Sequence, residues 1–263
     1  MKYCRFSSPD GPKYGLIQSL NGQDQITHTT ASVEIPDFFG AQEVFPVPLS
    51  SIVLLAPVHP SKIVCVGRNY ADHAMEFGNE VPPDLIIFLK PPTSLLAPGA
   101  RIVRPNRLSQ RVDFEGELAA VIGKTCYTLG DGADVRPYIA GYTCSNDVTA
   151  RDLQRKDGQW TRGKSFDTFC PVGPIVTDEI DPWAGVQVES RVNGVVKQSA
   201  STTSFIFPMD VIIRFIAQVM TLLPGDLIMT GTPAGVGPLL AGDQVSVSIQ
   251  GIGTLTNPVV DGD

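Results

Sequence analysis

Two glutamates, two residues apart in an apolar run, constrain this chain more than any other feature. The run is Val112-Asp113-Phe114-Glu115-Gly116-Glu117-Leu118-Ala119-Ala120-Val121-Ile122-Gly123, and it reads as a strand. On a strand, side chains at i and i+2 share a face. Glu115 and Glu117 therefore lie with Ala119 and Val121, opposite Phe114, Leu118, Ala120 and Ile122. Both faces are apolar, so the strand belongs in a fold that covers it twice. Two like charges at its end repel each other and lose hydration. Protonation, a cation or an opening to water would each relieve them. A divalent metal with oxygen ligands is the simplest of these answers.

Composition narrows the class. The 263 residues are 43% hydrophobic and 18% charged, enough for a sizeable core in one large domain or in one domain plus a small appendage. Gly 25 and Pro 22 favour strands and turns over a helical bundle. The formal net charge is −7 and no basic run stands out, which argues against nucleic acid or an anionic membrane as partner. No apolar stretch approaches the ~20 residues of a membrane span, and Met1-Lys2-Tyr3-Cys4-Arg5-Phe6 has no signal-type apolar core. The five cysteines (4, 65, 126, 144, 170) are scattered and read as reduced core residues of a cytoplasmic protein. With only His28, His59 and His73, a histidine-rich zinc site is hard to build. Carboxylate ligands point instead to Mg²⁺ or Mn²⁺.

Along the chain, residues 1–58 read as a small strand-rich unit and 59–263 as the main domain. Tyr14–Gln18 is a candidate strand ending at a turn near Asn21-Gly22, and residues 46–60, with four prolines, read as a linker or edge. Strands are expected at 62–67, 84–89, 138–144, 186–192, 227–229 and 245–249, with a hairpin at Asn193-Gly194. Short helices are expected at 69–77 and 148–156, and a longer one at 208–222 with Pro208 at its first position. Residues 157–174 read as a loop. The whole is a mixed, β-rich α+β fold.

Three further groups could carry chemistry. Asp147 sits where a strand gives way to a helix; it is either an ordinary N-cap or a third carboxylate for the metal. His73 and Glu76 are three apart on a helix, so they can touch. They are either a solvated face or an imidazole oriented as a base. Lys164 closes Gly158-Gln159-Trp160-Thr161-Arg162-Gly163-Lys164-Ser165, which fits the G-x-x-x-x-G-K-[ST] phosphate-loop pattern. Context opposes that reading: a charged helix-like run precedes it, and the prolines at 171 and 174 prevent a long helix from following.

Six ordered segments make a more specific case. They are Gly67-Arg68-Asn69-Tyr70-Ala71-Asp72-His73, Phe88-Leu89-Lys90-Pro91, Asp113-Phe114-Glu115-Gly116-Glu117-Leu118, Asn146-Asp147-Val148-Thr149-Ala150-Arg151-Asp152, Gly163-Lys164-Ser165-Phe166-Asp167 and Thr230-Gly231-Thr232-Pro233-Ala234-Gly235-Val236-Gly237. Over about residues 60–260 the chain resembles the fumarylacetoacetate hydrolase family. Its first segment is similar to that of bacterial members often labelled hydroxyhepta-dienedioate isomerases or hydrolases.

The resemblance implies a β-roll catalytic domain, usually in a homodimer. It implies Mg²⁺, with Mn²⁺ or Ca²⁺ as alternatives, held by Glu115, Glu117 and Asp147. It implies His73 and Glu76 as a water-activating pair on a lid over 70–82. Lys164 would meet the substrate and its developing enolate, and Arg68, Tyr70, Gln154 and Thr232 would line the pocket. The implied activity is hydrolysis of a C–C bond in an acylpyruvate-type 1,3-diketo acid, a small anionic substrate. Oxaloacetate decarboxylation and 2-hydroxyhepta-2,4-diene-1,7-dioate isomerisation are the alternatives on the same site. The loop 77–84 and residues 1–58 depart from the family pattern, which leaves the substrate open.

Overall fold

The computed structural model describes residues 1–31, 35–76, 78 and 80–262. Its frame is a twelve-stranded sheet. From one edge the main path runs Gln42–Pro48, Gln23–Thr30, Gly11–Leu20, Lys2–Ser8, Cys170–Thr177, Ile139–Asn146, Gly116–Ile122, Leu227–Met229, Ile63–Gly67 and Ile86–Lys90. Gly116–Ile122 lies deep in this order, antiparallel to both neighbours, with Ala119 opposite Thr143 on one side and Met229 on the other. All seven of its residues are buried, as its two apolar faces require.

Those faces enter different cores. Leu118, Ala120 and Ile122 pack with Val188, Val247, Ile249 and Leu255 of a second, five-stranded sheet, and with Met209, Ile212 and Ile216 of a helix. Ala119 and Val121 pack on the other side with Tyr3, Tyr14, Val172 and Val176. The helix, Met209–Val219, buries one apolar stripe, as its spacing demands. Pro208 is its N-cap rather than its first residue. No described helix is long and apolar enough to cross a membrane.

The first segment does not stand apart. Lys2 pairs with Thr177 and Tyr3 with Val176, so the sheet runs unbroken across the expected boundary near residue 58. The proline-rich stretch begins at the edge strand Gln42–Pro48, where missing N–H donors do no harm.

Three local expectations need correction. The glutamate run is not one strand. Val112–Phe114 pairs with Thr149–Ala150 and Gly237–Pro238 in a small separate sheet, and the chain joins the large sheet only at Gly116. The switch falls on Glu115, whose N–H is taken by Asn146 Oδ1 at 2.9 Å. Gly116 permits it, because a Cβ there would lie 2.0 Å from Ser190 Oγ. The helix expected from Val148 starts at Arg151, since Thr149 and Ala150 are held in strand pairing. The expected loop 157–174 contains a short helix, Thr161–Lys164, and the start of strand Cys170–Thr177. Lys164 is thus a helical residue.

Candidate metal centre and active site

The chain switch at Glu115 builds the site. It leaves Glu115 between two sheets and Glu117 at the start of the buried strand, while Asp147 follows the neighbouring strand Ile139–Asn146. Asp147 N–H donates to Glu115 O at 2.8 Å, locking the two segments together. Ligand atoms of Glu115, Glu117 and Asp147 lie within 4.8 Å of one another, and all three side chains are buried. Asp147 caps nothing: the N-cap of the helix is Ala150.

Buried cations surround this triad. Lys164 Nζ reaches Glu115 Oε2 at 2.9 Å and Asp147 Oδ2 at 2.5 Å. Lys90, 1% exposed, donates to Asp147 Oδ1 at 2.6 Å and Val148 O at 3.2 Å. Arg151 pairs with Glu115 and, at 2.9 Å, with Asp113. Burial alone would raise the Glu115 pKa, but Lys164 and Arg151 hold it well below the usual carboxylate range. Burial opposes charge on Lys164 as well, yet Asp147 and Glu115 keep its pKa raised, so it stays an ammonium.

Glu117 differs. Burial, with Asp147 and then Glu115 beside it, pushes its pKa well above the ordinary value. The hydrogen bond to its carboxylate comes from Gly231 N–H at 2.8 Å, and no ion pair reaches it among the described residues. Gly231 must be glycine: its φ is +95° and a Cβ would sit 2.8 Å from that of Asn69. A buried carboxylate without a cation, facing two more carboxylates, is the donor set that a hard divalent ion fits. The all-oxygen composition suits Mg²⁺, Mn²⁺ or Ca²⁺.

A cavity of about 410 Å³ opens over the triad. It is lined by eight expected residues: Arg68, His73, Glu115, Glu117, Asp147, Gln154, Lys164 and Thr232. His73 Nδ1 is 3.3 Å from Glu76 Oε2, and Gly235 N–H holds both Glu76 oxygens at 3.2 Å. Burial lowers the His73 pKa, with Glu115 pulling the other way, so the imidazole is neutral near pH 7. Gln154 accepts from Arg151 at 2.7 Å. Thr232 donates to Gly116 O at 2.9 Å and accepts from Gln198 at 2.7 Å, so its hydroxyl holds the chain switch in place.

Tyr70 is not brought to this cavity. Its ring packs edge-on against Phe205 and lines a separate cavity of about 240 Å³. Phe77 and Asn79, within the expected lid, lie outside the described residues.

Lys90, Arg151, Asp113 and Gln198 are parts of the site to which sequence reasoning assigned no role. Two had a signal. Lys90 ends an otherwise apolar run, Ile86-Ile87-Phe88-Leu89-Lys90, in register with Phe88. Asp113 stands two before Glu115. Gln198 lies some eighty residues from Gly116, whose N–H it accepts at 2.9 Å, and nothing local marks it. Among the five cysteines, all free and buried, none lines the cavity.

The sequence profile described as Fumarylacetoacetate (FAA) hydrolase C-terminal matches residues 62–260. The chain belongs to the fumarylacetoacetate hydrolase family. Residues 1–57 match a second profile, Rv2993c-like, N-terminal. Protein Rv2993c of Mycobacterium tuberculosis is 48% identical over 99% of this chain and 98% of its own length. The crystal structure of 2-hydroxyhepta-2,4-diene-1,7-dioate isomerase from Mycobacterium marinum superposes with a TM-score of 0.87 at 46% identity, covering 99% of this chain and 98% of that one. The mitochondrial oxaloacetate tautomerase Fahd2a of Rattus norvegicus is 42% identical over 81% of this chain and 71% of its own. A fumarylacetoacetate hydrolase-type, β-rich fold and an enzymatic family thus agree with the buried acidic triad in this chain.

Proposed function

We propose that this family member is a divalent-metal-dependent hydrolase that cleaves a C–C bond of an acylpyruvate-type 1,3-diketo acid. The observation that carries the reading is the His73–Glu76 pair, with His73 lining the same cavity as the carboxylate triad. Enolisation or decarboxylation needs no activated water, whereas hydrolysis does.

A divalent ion held by Glu115, Glu117 and Asp147 would polarise the substrate's 2-oxo-carboxylate as a Lewis acid. The rest falls to side chains. Glu76, itself held by Gly235, accepts the His73 Nδ1–H and leaves Nε2 as the base that takes a proton from water. The hydroxide attacks the distal carbonyl carbon. The bond between that carbon and the pyruvyl methylene breaks, and its electron pair leaves with pyruvate as an enolate. Lys164, an ammonium in a dry site, faces the developing oxyanion, the preorganised charge that matters most in such steps. Gln154, fixed by Arg151, keeps its amide nitrogen for a substrate oxygen. Protonation at carbon completes pyruvate.

A second reading has its own support. The rat relative is an oxaloacetate tautomerase, and enol–keto exchange asks only for proton transfer at the same position. Oxaloacetate decarboxylation and dienedioate isomerisation draw on the same enolate. The reading also takes the working assembly as a cytoplasmic homodimer, which sedimentation of the purified protein would check.

The deciding experiment follows the enol absorbance of acetylpyruvate and oxaloacetate in parallel, with Mg²⁺ and with EDTA. Mg²⁺-dependent loss of acetylpyruvate with acetate appearing supports the hydrolase. Change with oxaloacetate alone moves the assignment to tautomerase, or to decarboxylase if CO₂ is released.

A further inference from the structure

The phosphate-loop-like run 158–165 has a part that the chemistry above does not use. Lys164 went to the carboxylates, but Trp160 stands at the wall of the cavity. Its ring meets Phe88 edge-on at 5.1 Å. It also lies against Gly67, where a Cβ would come within 2.6 Å of the indole. Gly67 is therefore a seat for this ring.

Beyond the pair lies a second cavity of about 590 Å³, larger than the catalytic one. The two share Arg68, Phe88, Gly158 and Trp160, so they adjoin across that wall. The rest of the second wall is Ile86, Ile87, Leu89 and Met220, with Gln159 and Thr161 as its polar members. It runs along Ile86–Lys90, which has no further strand beyond it on this side of the large sheet among the described residues. Leu89 is 46% exposed here. Arg68 stands at the junction with a φ of +57° and without a hydrogen bond or ion pair among the described residues.

We propose that this second cavity is the acyl subsite and that Trp160 sets acyl-chain preference. A substrate whose 2-oxo-carboxylate end lies at the triad has its acyl end directed to the shared wall, and the groove beyond offers apolar side chains to it. The substrate class is a 2-oxo acid carrying an extended, apolar acyl group rather than the bare acetyl group. This inference rests on the proposed function for where the head group lies.

The test is equilibrium binding of unreactive 2-oxo acids that lack a 4-keto group: pyruvate, 2-oxohexanoate, 2-oxooctanoate and phenylpyruvate. A Trp183→Phe background leaves Trp160 as the remaining tryptophan, so its emission reports the groove directly, with Mg²⁺ and with EDTA. Each methylene reaching a half-open apolar groove should tighten binding about two- to fourfold, the upper figure being full burial of a CH₂. The ratio of 2-oxooctanoate to pyruvate affinity, read by titration calorimetry where the reporter ring is absent, should fall at least fivefold in Trp160→Ala. Because that change also removes a ring packed on Gly67, Met220→Gln serves as the second variant. It lies on another element and should lower the same ratio.

A flat dependence on chain length, with pyruvate still bound, overturns the subsite. So does tightening confined to 2-oxoadipate, whose second carboxylate would give the groove to Arg68 as an anion site. No cleavage of either acetylpyruvate or a longer acylpyruvate such as 2,4-dioxooctanoate would refute the proposed reaction and leave the chain-length result standing, so the two failures are distinguishable.

Discussion

Replacing Glu117 by Gln should make the metal-free protein more stable, against the usual cost of altering a buried polar side chain. Four buried carboxylates (Asp113, Glu115, Glu117, Asp147) meet three buried cations (Lys90, Arg151, Lys164). Arg111, at the surface, pairs with Asp113 as well, at 2.9 Å, whereas Glu117 pairs with no cation among the described residues. At 4.8 Å and an effective dielectric of about 20, one uncompensated repulsion is worth roughly 3.5 kcal/mol. The glutamine keeps the shape and can still accept from Gly231, losing about 1 kcal/mol of charge assistance. The net is about 2.5 kcal/mol. For a chain of this size that raises Tm by roughly 5–10 °C in EDTA.

Mg²⁺ should close that gap. At about 100 times Kd, binding to the native state stabilises by roughly 2.7 kcal/mol. Wild type should gain that, and the variant, short of one ligand charge, should gain little. Paired thermal melts in EDTA and Mg²⁺ read both effects. A Glu117→Gln protein that melts lower than wild type in EDTA, or that gains as much from Mg²⁺, would refute the charge argument.

Other outcomes follow from the same site. His73→Ala should abolish acetylpyruvate cleavage while retaining the Mg²⁺-induced rise in Tm; cleavage at the parent rate would remove His73 as the base. Since burial holds the His73 pKa below its ordinary value and the base form is the deprotonated one, the rate should fall as pH falls, with a midpoint under ~6.5. An acidic limb centred above 6.5 would contradict this. Lys90→Met leaves Asp147 buried beside one cation fewer and should cost about 3–5 kcal/mol in urea melts, partly restored by Mg²⁺. The thiols of Cys4, Cys144 and Cys170 are pushed up to about 12 by burial. A thiol reagent at pH 8 should therefore meet no fast-reacting cysteine until the chain is unfolded, when all five react.

Much of the site was legible because its chemistry is local. The glutamates two apart, the i, i+3 spacing of His73 and Glu76, and the motif around Asp147 are short-range patterns, and six of them in order identify the family. The misreadings were local as well. Glu115 and Glu117 looked like one strand face, since hydrophobic alternation cannot register that Asn146 and Gln198 divert the backbone between them. For Asp147 the neighbouring sequence left cap and ligand open, since a helix does follow, but pairing of Thr149 and Ala150 with Asp113 and Val112 delays that helix. Tyr70 sits in a matched motif, yet its ring turns to Phe205.

By itself, the sequence determined a β-rich fold with a doubly covered central strand, the acidic donors and the proposed base, because burial periodicity and side-chain chemistry are properties of short segments. Tertiary structure alone decided which cations neutralise which carboxylates. Lys90, Arg151 and Lys164 come from three separate elements, and electrostatic pairing depends on distance in space, not along the chain. It also decided that Glu117 meets the Gly231 N–H but no cation among the described residues, and that Trp160 and Gly67, far apart in sequence, close one wall of the cavity.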